Sequence, residues 1–301
     1  MEYRILGSLE IEHDGRPIPL RGRRQRALLV NLLLNANEVV PDDRLLEDLW
    51  GADPPKSGRT ALRVRVSQLR KALEPGGDVL LTRAPGYVLH AEPDLIDARR
   101  FEHLFADGRA AKAAGDVDRA AATLRAGLVL WRGPALADVA YEPFVQTEIA
   151  RLEELRLAAL EERIDADLAL GAHAELVGEL EALVAAHPLR ERLRGQQMLA
   201  LYRSGRQAEA LAAYRDARRA LVDELGIEPG RALQELESAI LRQDLSLEPP
   251  SGPAAEAPAR DEAPSEERKL VTVLVADVAA SPALSEARDP ERAGALLERV
   301  V

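Results

Sequence analysis

Lys56, Arg59, Thr60, Arg63, Val64, Ser67 and Arg70 fall in a stretch, residues 54 to 73, that contains no acidic side chain, inside a chain of formal net charge -11. Guanidinium groups on one face of a helix can fork onto guanine edges. Together with lysine, serine and threonine they can also hold phosphate oxygens. An outward valine such as Val64 can touch a thymine methyl. The bland alternative is a solvated face, but solvated faces mix signs to limit self-repulsion.

At about 100° per residue, Leu62, Val66, Leu69 and Leu73 make one narrow apolar stripe. Arg59, Arg63 and Arg70 lie roughly a quarter turn away, with Ser67 and Thr60 beside them and Arg65 on the opposite flank. A second basic cluster, Arg21, Arg23, Arg24 and Arg26, opens an earlier helical pattern; Arg24 can meet backbone phosphate or snorkel over apolar surface. Arg83, next to a turn, is a candidate contact from a hairpin, with a solvated turn residue as the alternative.

The elements that must position these residues follow from periodicity. Residues 2–20 alternate in short runs around His13-Asp14-Gly15, which predicts a small antiparallel sheet. Leu28, Leu29, Leu32 and Leu33 predict a first helix. Asp42 or Asp43 is placed to cap a second helix that ends at Gly51, and Ser57 or Thr60 to cap the third. Residues 79–91 then read as two strands about Pro85 and Gly86. Sheet, three helices and hairpin is the order of a winged helix-turn-helix.

From Asp97 to Asp244 the pattern is helical. Gly115, Gly171 and Gly205 each precede a helix start, and the last two are 34 residues apart, the period of tetratricopeptide helix pairs. The fold expected is mainly α: an N-terminal winged helix-turn-helix with small antiparallel sheets, then an all-α TPR-like bundle. The division expected is 1–93, 97–244, a Pro/Ala-rich linker 245–267, and a further segment 268–301.

Composition bounds the rest. Residues 1–93 hold 14 Lys and Arg against 13 Asp and Glu, whereas 94–301 hold 26 against 38, so the acidic excess lies outside the basic helix. Attraction to phosphates depends on that local patch. The absence of cysteine excludes disulfides and thiolate metal sites. The chain opens without an apolar signal and has no run long enough to span a bilayer, which gives the expectation of a cytoplasmic, non-membrane protein. No P-loop, GxSxG or HExxH pattern is present, so the expectation for residues 1–244 is a non-enzyme with no cofactor. The five histidines share no ligand spacing. Trp50 and Trp131 read as apolar anchors, one closing the second helix and one plugging a helix junction.

LGSLEI, DGRPIPLRGRRQRALLVNLLLNANEVVPDDRLLEDLWG, ALRVRVSQLRKAL and LLTRAPGYVL resemble the OmpR-type winged-helix domain of SARP-type bacterial transcriptional activators. RRFEHLFADGRAA, LWRGPALADV and AYRDARRALVDELGIEPGRALQELE resemble the bacterial transcriptional activation domain that follows it in that family. The resemblance implies binding to double-stranded DNA at promoter direct repeats, by protomers in tandem or self-associated, and contact with RNA polymerase holoenzyme. It makes 58–73 the recognition helix and 79–91 the wing.

RKLVTVLVADVAASPALSEARDPE resembles the opening of class III nucleotidyl cyclases, which would place Asp277 as a metal ligand. Val275, Ala280 and Pro282 depart from that pattern. Two other readings therefore stand beside the activator: a control module for a cyclase whose catalytic residues lie beyond 301, and a TPR-like scaffold with no DNA role.

Overall fold

The computed structural model describes residues 1–51 and 55–248, which belong to one compact unit. The cyclase-like stretch 268–301, Asp277 included, lies outside the described residues. Among the described residues no helix is long and apolar enough to cross a membrane, and no three His, Asp or Glu side chains are grouped to hold a metal ion.

Strands β1 (Glu2–Arg4), β2 (Glu10–His13) and β3 (Arg16–Pro17) form the first antiparallel sheet in that order. Helix α1 (Arg23–Leu34) follows and is covered almost all round, with Ala27 to Leu33 buried. It is the central rod of the N-terminal half, and the buried Asn31 donates its side-chain nitrogen to Asp48 at 2.6 Å. Helices α2 (Asp42–Trp50) and α3 (Gly58–Leu73) pack on it.

The second sheet has strand order β4 (Val40–Pro41), β6 (Gly86–Leu89), β5 (Leu80–Arg83). Strand β4 is only two residues long and carries no periodic signal. Pairing with the hairpin defines it: Val40 sits opposite Tyr87 and Pro41 opposite Gly86. A side chain at Gly86 would put its Cβ 1.8 Å from the Val40 carbonyl oxygen, so only glycine allows this approach.

The same pairing corrects the caps expected from sequence. Pro41, not Asp42 or Asp43, occupies the N-cap of α2, because the Asp42 amide is turned to donate to the Pro85 carbonyl at 3.1 Å. Both aspartates sit in the first turn, where the helix dipole still favours them. Ser57 takes the cap position of α3 without a side-chain hydrogen bond, and Thr60 lies inside the helix.

Seven helices complete the described chain: α4 (Asp97–Ala113), α5 (Val117–Leu128), α6 (Gln146–Ala169), α7 (His173–Ala186), α8 (Glu191–Arg203), α9 (Gln207–Leu225) and α10 (Arg231–Arg242). Helices α5, α7 and α9 each begin two residues after Gly115, Gly171 and Gly205. Leu245–Leu247, assigned to the linker by composition, form a 3-10 turn, and Arg203 donates to the Leu247 carbonyl at 2.7 Å. The packed fold thus runs a few residues further than proline content suggests.

Packing joins the winged helix to the start of the bundle. One apolar cluster contains Tyr3, Leu28, Leu29, Leu62, Leu69, Phe101, Trp131, Leu136, Val145 and Leu152; a second, from Leu157 to Ile240, fills the distal bundle. Trp131 stands edge-on to Phe101 with ring centroids 5.4 Å apart. Around it, Arg132 and Leu136 donate their amides to Leu6 and Ile5 carbonyls at 2.8 and 2.9 Å. The buried Asp97 carboxylate accepts from the Ile5 and Leu6 amides at 2.7 and 3.0 Å. Burial pushes that carboxyl above its ordinary range, against the pull of those amides and of Arg132.

The long helix α6 carries the acidic side of an ion network inside the bundle. Lys112 of α4 reaches Glu162 and Asp165 at 2.6 and 2.9 Å, and Arg192 of α8 reaches the same pair at 2.8 and 2.6 Å. Glu161 is almost fully buried and receives Arg190 at 2.8 Å. Burial alone would raise the Asp165 and Glu162 carboxyls, but hydrogen bonds from Arg192 and Lys112, and from Gln196 to Asp165, outweigh it and hold both below the ordinary range.

Truncating Phe101, which has no exposed surface, should cost about 3–5 kcal/mol in denaturant unfolding. Native-state hydrogen exchange should show α1 and α4 amides losing protection together, since one core serves both. The stability that Glu162 and Asp165 supply is complete above the ordinary carboxylate pKa of about 4 and is lost as pH falls through their lowered folded values. Melting temperatures followed from about pH 5 to pH 2 should therefore drop less steeply in Asp165→Asn than in the wild type.

Candidate nucleic-acid interface

Burial of Leu62, Val66, Leu69 and Leu73 fixes the rotation of α3. At about 100° per residue, the direction opposite that stripe falls on Thr60, Val64 and Lys71, flanked by Ser67 and Gln68, all exposed. Val64 keeps 49% of its surface, unusual for a valine in a packed helix, and marks the outermost line. Lys71 and Gln68 were not among the residues singled out from sequence. The helical wheel contains the signal that finds them, since both lie across from the leucine stripe.

The arginines lie on the flank that turns toward α2 and the wing. Arg59 pairs with Asp43 of α2 at 3.1 Å, with both side chains mostly in solvent, so the pair is weak and open to exchange for a phosphate. Arg63 is exposed and makes no ion pair or hydrogen bond among the described residues. Lys56, Lys71 and Arg83 are likewise exposed cations without an ion pair among the described residues. Arg70 differs. Its Nε donates to the Leu80 carbonyl at 2.8 Å and its Nη2 to the Thr82 hydroxyl at 2.7 Å, so one edge of the guanidinium is tied to the hairpin while the residue stays exposed.

The cluster at the start of α1 divides between two tasks. Arg23 donates to Glu142 at 3.0 Å and covers the Tyr141 ring at 3.6 Å, and Arg26 lies 3.5 Å from Asp138. Both tie the winged helix to the segment before α6. Arg24 lies over the Trp50 ring at 4.9 Å. It shares with Thr60, Val64 and Arg65 a cleft of about 490 Å³ beside the outward face of α3. Trp50 therefore does more than close α2, for it carries a cation at the edge of the basic surface. Gln25 joins the two helices: its carbonyl oxygen accepts from the Arg21 amide at 2.9 Å, and its amide donates to the Gln68 carbonyl at 3.3 Å.

The arrangement is a rod of exposed hydrogen-bonding and cationic side chains, backed by leucines and flanked by a β-hairpin with Arg83 next to its turn. Its exposed guanidinium, ammonium, amide and hydroxyl groups are of the kinds that hydrogen-bond base edges and phosphate oxygens of a duplex. Comparison with known proteins bears on the same elements. Residues 15–89 match the family model described as "Transcriptional regulatory protein, C terminal", and residues 96–241 match the "Bacterial transcriptional activator domain". Regulatory protein DnrI of Streptomyces peucetius is 42% identical over 266 residues, covering 85% of this chain and 98% of DnrI.

The chain belongs to the SARP-type transcriptional regulators.

Regulatory protein AfsR of Streptomyces coelicolor is 46% identical over 257 residues, 85% of this chain but 26% of AfsR, so the SARP-type unit spans about a quarter of that longer relative. The solved structure of Mycobacterium tuberculosis EmbR, in complex with a low affinity phosphopeptide, superposes with a TM-score of 0.78 at 39% identity, covering 80% of this chain and 65% of that one. The winged-helix and helical-bundle architecture is thus shared within this family of regulators.

Proposed function

We propose that this chain is a sequence-specific DNA-binding transcriptional activator whose helix α3 enters the major groove of promoter DNA. The observation that carries the proposal is the presentation of α3: its leucine edge is buried, and Thr60, Arg63, Val64, Ser67, Gln68 and Lys71 face solvent with no acidic residue on the helix. Arg63 and Gln68 have the chemistry to read base edges. Lys56, Arg59, Lys71 and Arg24 are suited to the phosphates on either side, and Arg83 to those beside the wing. In this reading residues 1–93 dock on DNA and residues 97–244 face proteins.

Family membership supports tandem or self-associated binding at direct repeats and contact between the bundle and RNA polymerase holoenzyme. The acidic excess of residues 94–301 suits that division of labour. Like-sign repulsion keeps the bundle off the duplex while the basic surface docks. A cytoplasmic protein working without a cofactor fits the same role.

The test is fluorescence anisotropy at fixed salt, with a duplex selected by the wild-type protein from a random library and an unselected competitor. Arg63→Ala should weaken binding to the selected duplex by about 1–3 kcal/mol and lower the ratio to competitor, whereas Lys71→Ala should weaken both alike and reduce the salt slope by about one. Arg24→Ala should also lower both. Failure of the wild type to enrich any sequence would leave the helical scaffold as the better description.

A further inference from the structure

We propose that Arg70 is a positioning residue: it sets the angle of the wing against the recognition helix and through it the reach of Arg83. The proposal rests on the DNA-binding reading above.

Strand β5 is the outer strand of its sheet, and its register with β6 pairs Leu81 with Val88 and Arg83 with Gly86. The His90 amide donates to the Val79 carbonyl at 2.8 Å, so by antiparallel alternation the backbone of Leu80 and Thr82 points off the free edge. An unpaired edge is mobile and open to stray pairing. Arg70 fills it. One guanidinium spans the Leu80 carbonyl and the Thr82 hydroxyl, 2.8 and 2.7 Å away, and lies 5.7 Å over the ring of the buried Tyr87 on β6.

That geometry uses what distinguishes arginine from lysine: a planar fork that makes two hydrogen bonds in fixed directions. The strand so held runs directly into Arg83, one residue beyond Thr82. The Nε edge of the guanidinium is committed to the hairpin, and on this proposal loss of that fork should be felt at the wing and not as a change in which bases are preferred.

A double-mutant cycle on the full chain tests this, with affinities for the selected duplex corrected for the folded fraction. Arg83→Ala should weaken binding about fivefold in the wild-type background and less than about twofold in Arg70→Ala, the size of coupling expected for groups acting as one unit. Arg70→Lys, which keeps the charge and loses the fork, should behave in the cycle as Arg70→Ala does. The base preferences of Arg70→Ala, read by repeating the library selection, should match those of the wild type. Thr82→Val, which leaves α3 untouched and removes one acceptor, should reduce the Arg83 effect in the same direction and serves if Arg70→Ala folds poorly.

An equal cost of Arg83→Ala in both backgrounds would overturn the proposal. So would full binding by Arg70→Lys, the mark of a phosphate contact, or relaxed preference at one base pair in Arg70→Ala, the mark of a base reader. A wild-type protein that does not discriminate the selected duplex from competitor defeats the DNA-binding reading itself, and that is visible before any variant is made.

Discussion

Four aliphatic side chains, Leu62, Val66, Leu69 and Leu73, hold α3 by its inner edge, and the rest of the interface depends on that grip. Each contributes about 2 kcal/mol of burial, and together they leave the helix one rotational setting. A shift of one residue would turn every side chain by about 100° and carry the line of Thr60, Val64 and Lys71 off the exposed face. Alanine-like neutrality outside this stripe would leave a stable helix with nothing to read. The stripe alone, without the polar face, would be an ordinary core helix.

The leucine grip is itself part of a core that does not stop at the winged helix. Phe101 and Trp131 enter the same cluster as Leu28 and Leu69, and the loop after β1 is stitched to Arg132, Leu136 and Ala137 by backbone hydrogen bonds and to the Asp138 carboxylate through the Leu9 amide. Arg23 and Arg26 close the outer side of that seam on Glu142 and Asp138. The proximal bundle is therefore held in one orientation to α3. The distal bundle has its own apolar cluster and a part-buried ion network on α6, whose paired charges satisfy one another.

Much of this was legible in the chain. The leucine spacing of α1 and α3, the run of helices after Asp97 and the hairpin about Gly86 follow from periodicities of 3.6 and 2 and from turn chemistry, all of which are local. The basic face of α3 was legible for the same reason, as was the outward place of Val64. Strand β4 was not, because two residues carry no period and exist as a strand only through their partners Tyr87 and Gly86, far along the chain. The cap of α2 was misplaced on Asp42 and Asp43 for the same cause: the amide that would open a capping arrangement is drawn to Pro85.

What the amino-acid order determined by itself is which helices form, which edge of each is apolar, and that one of them carries cations without acids. Those properties depend on neighbours within about two helical turns. Tertiary structure alone decided how the arginines are divided. Arg23 and Arg26 look like phosphate contacts until acids more than a hundred residues away meet them, and Arg70 lies on the same stripe as Arg63 but faces the free edge of a strand. A guanidinium takes the strongest acceptors within its reach, and which acceptors those are depends on distant segments folding to its side.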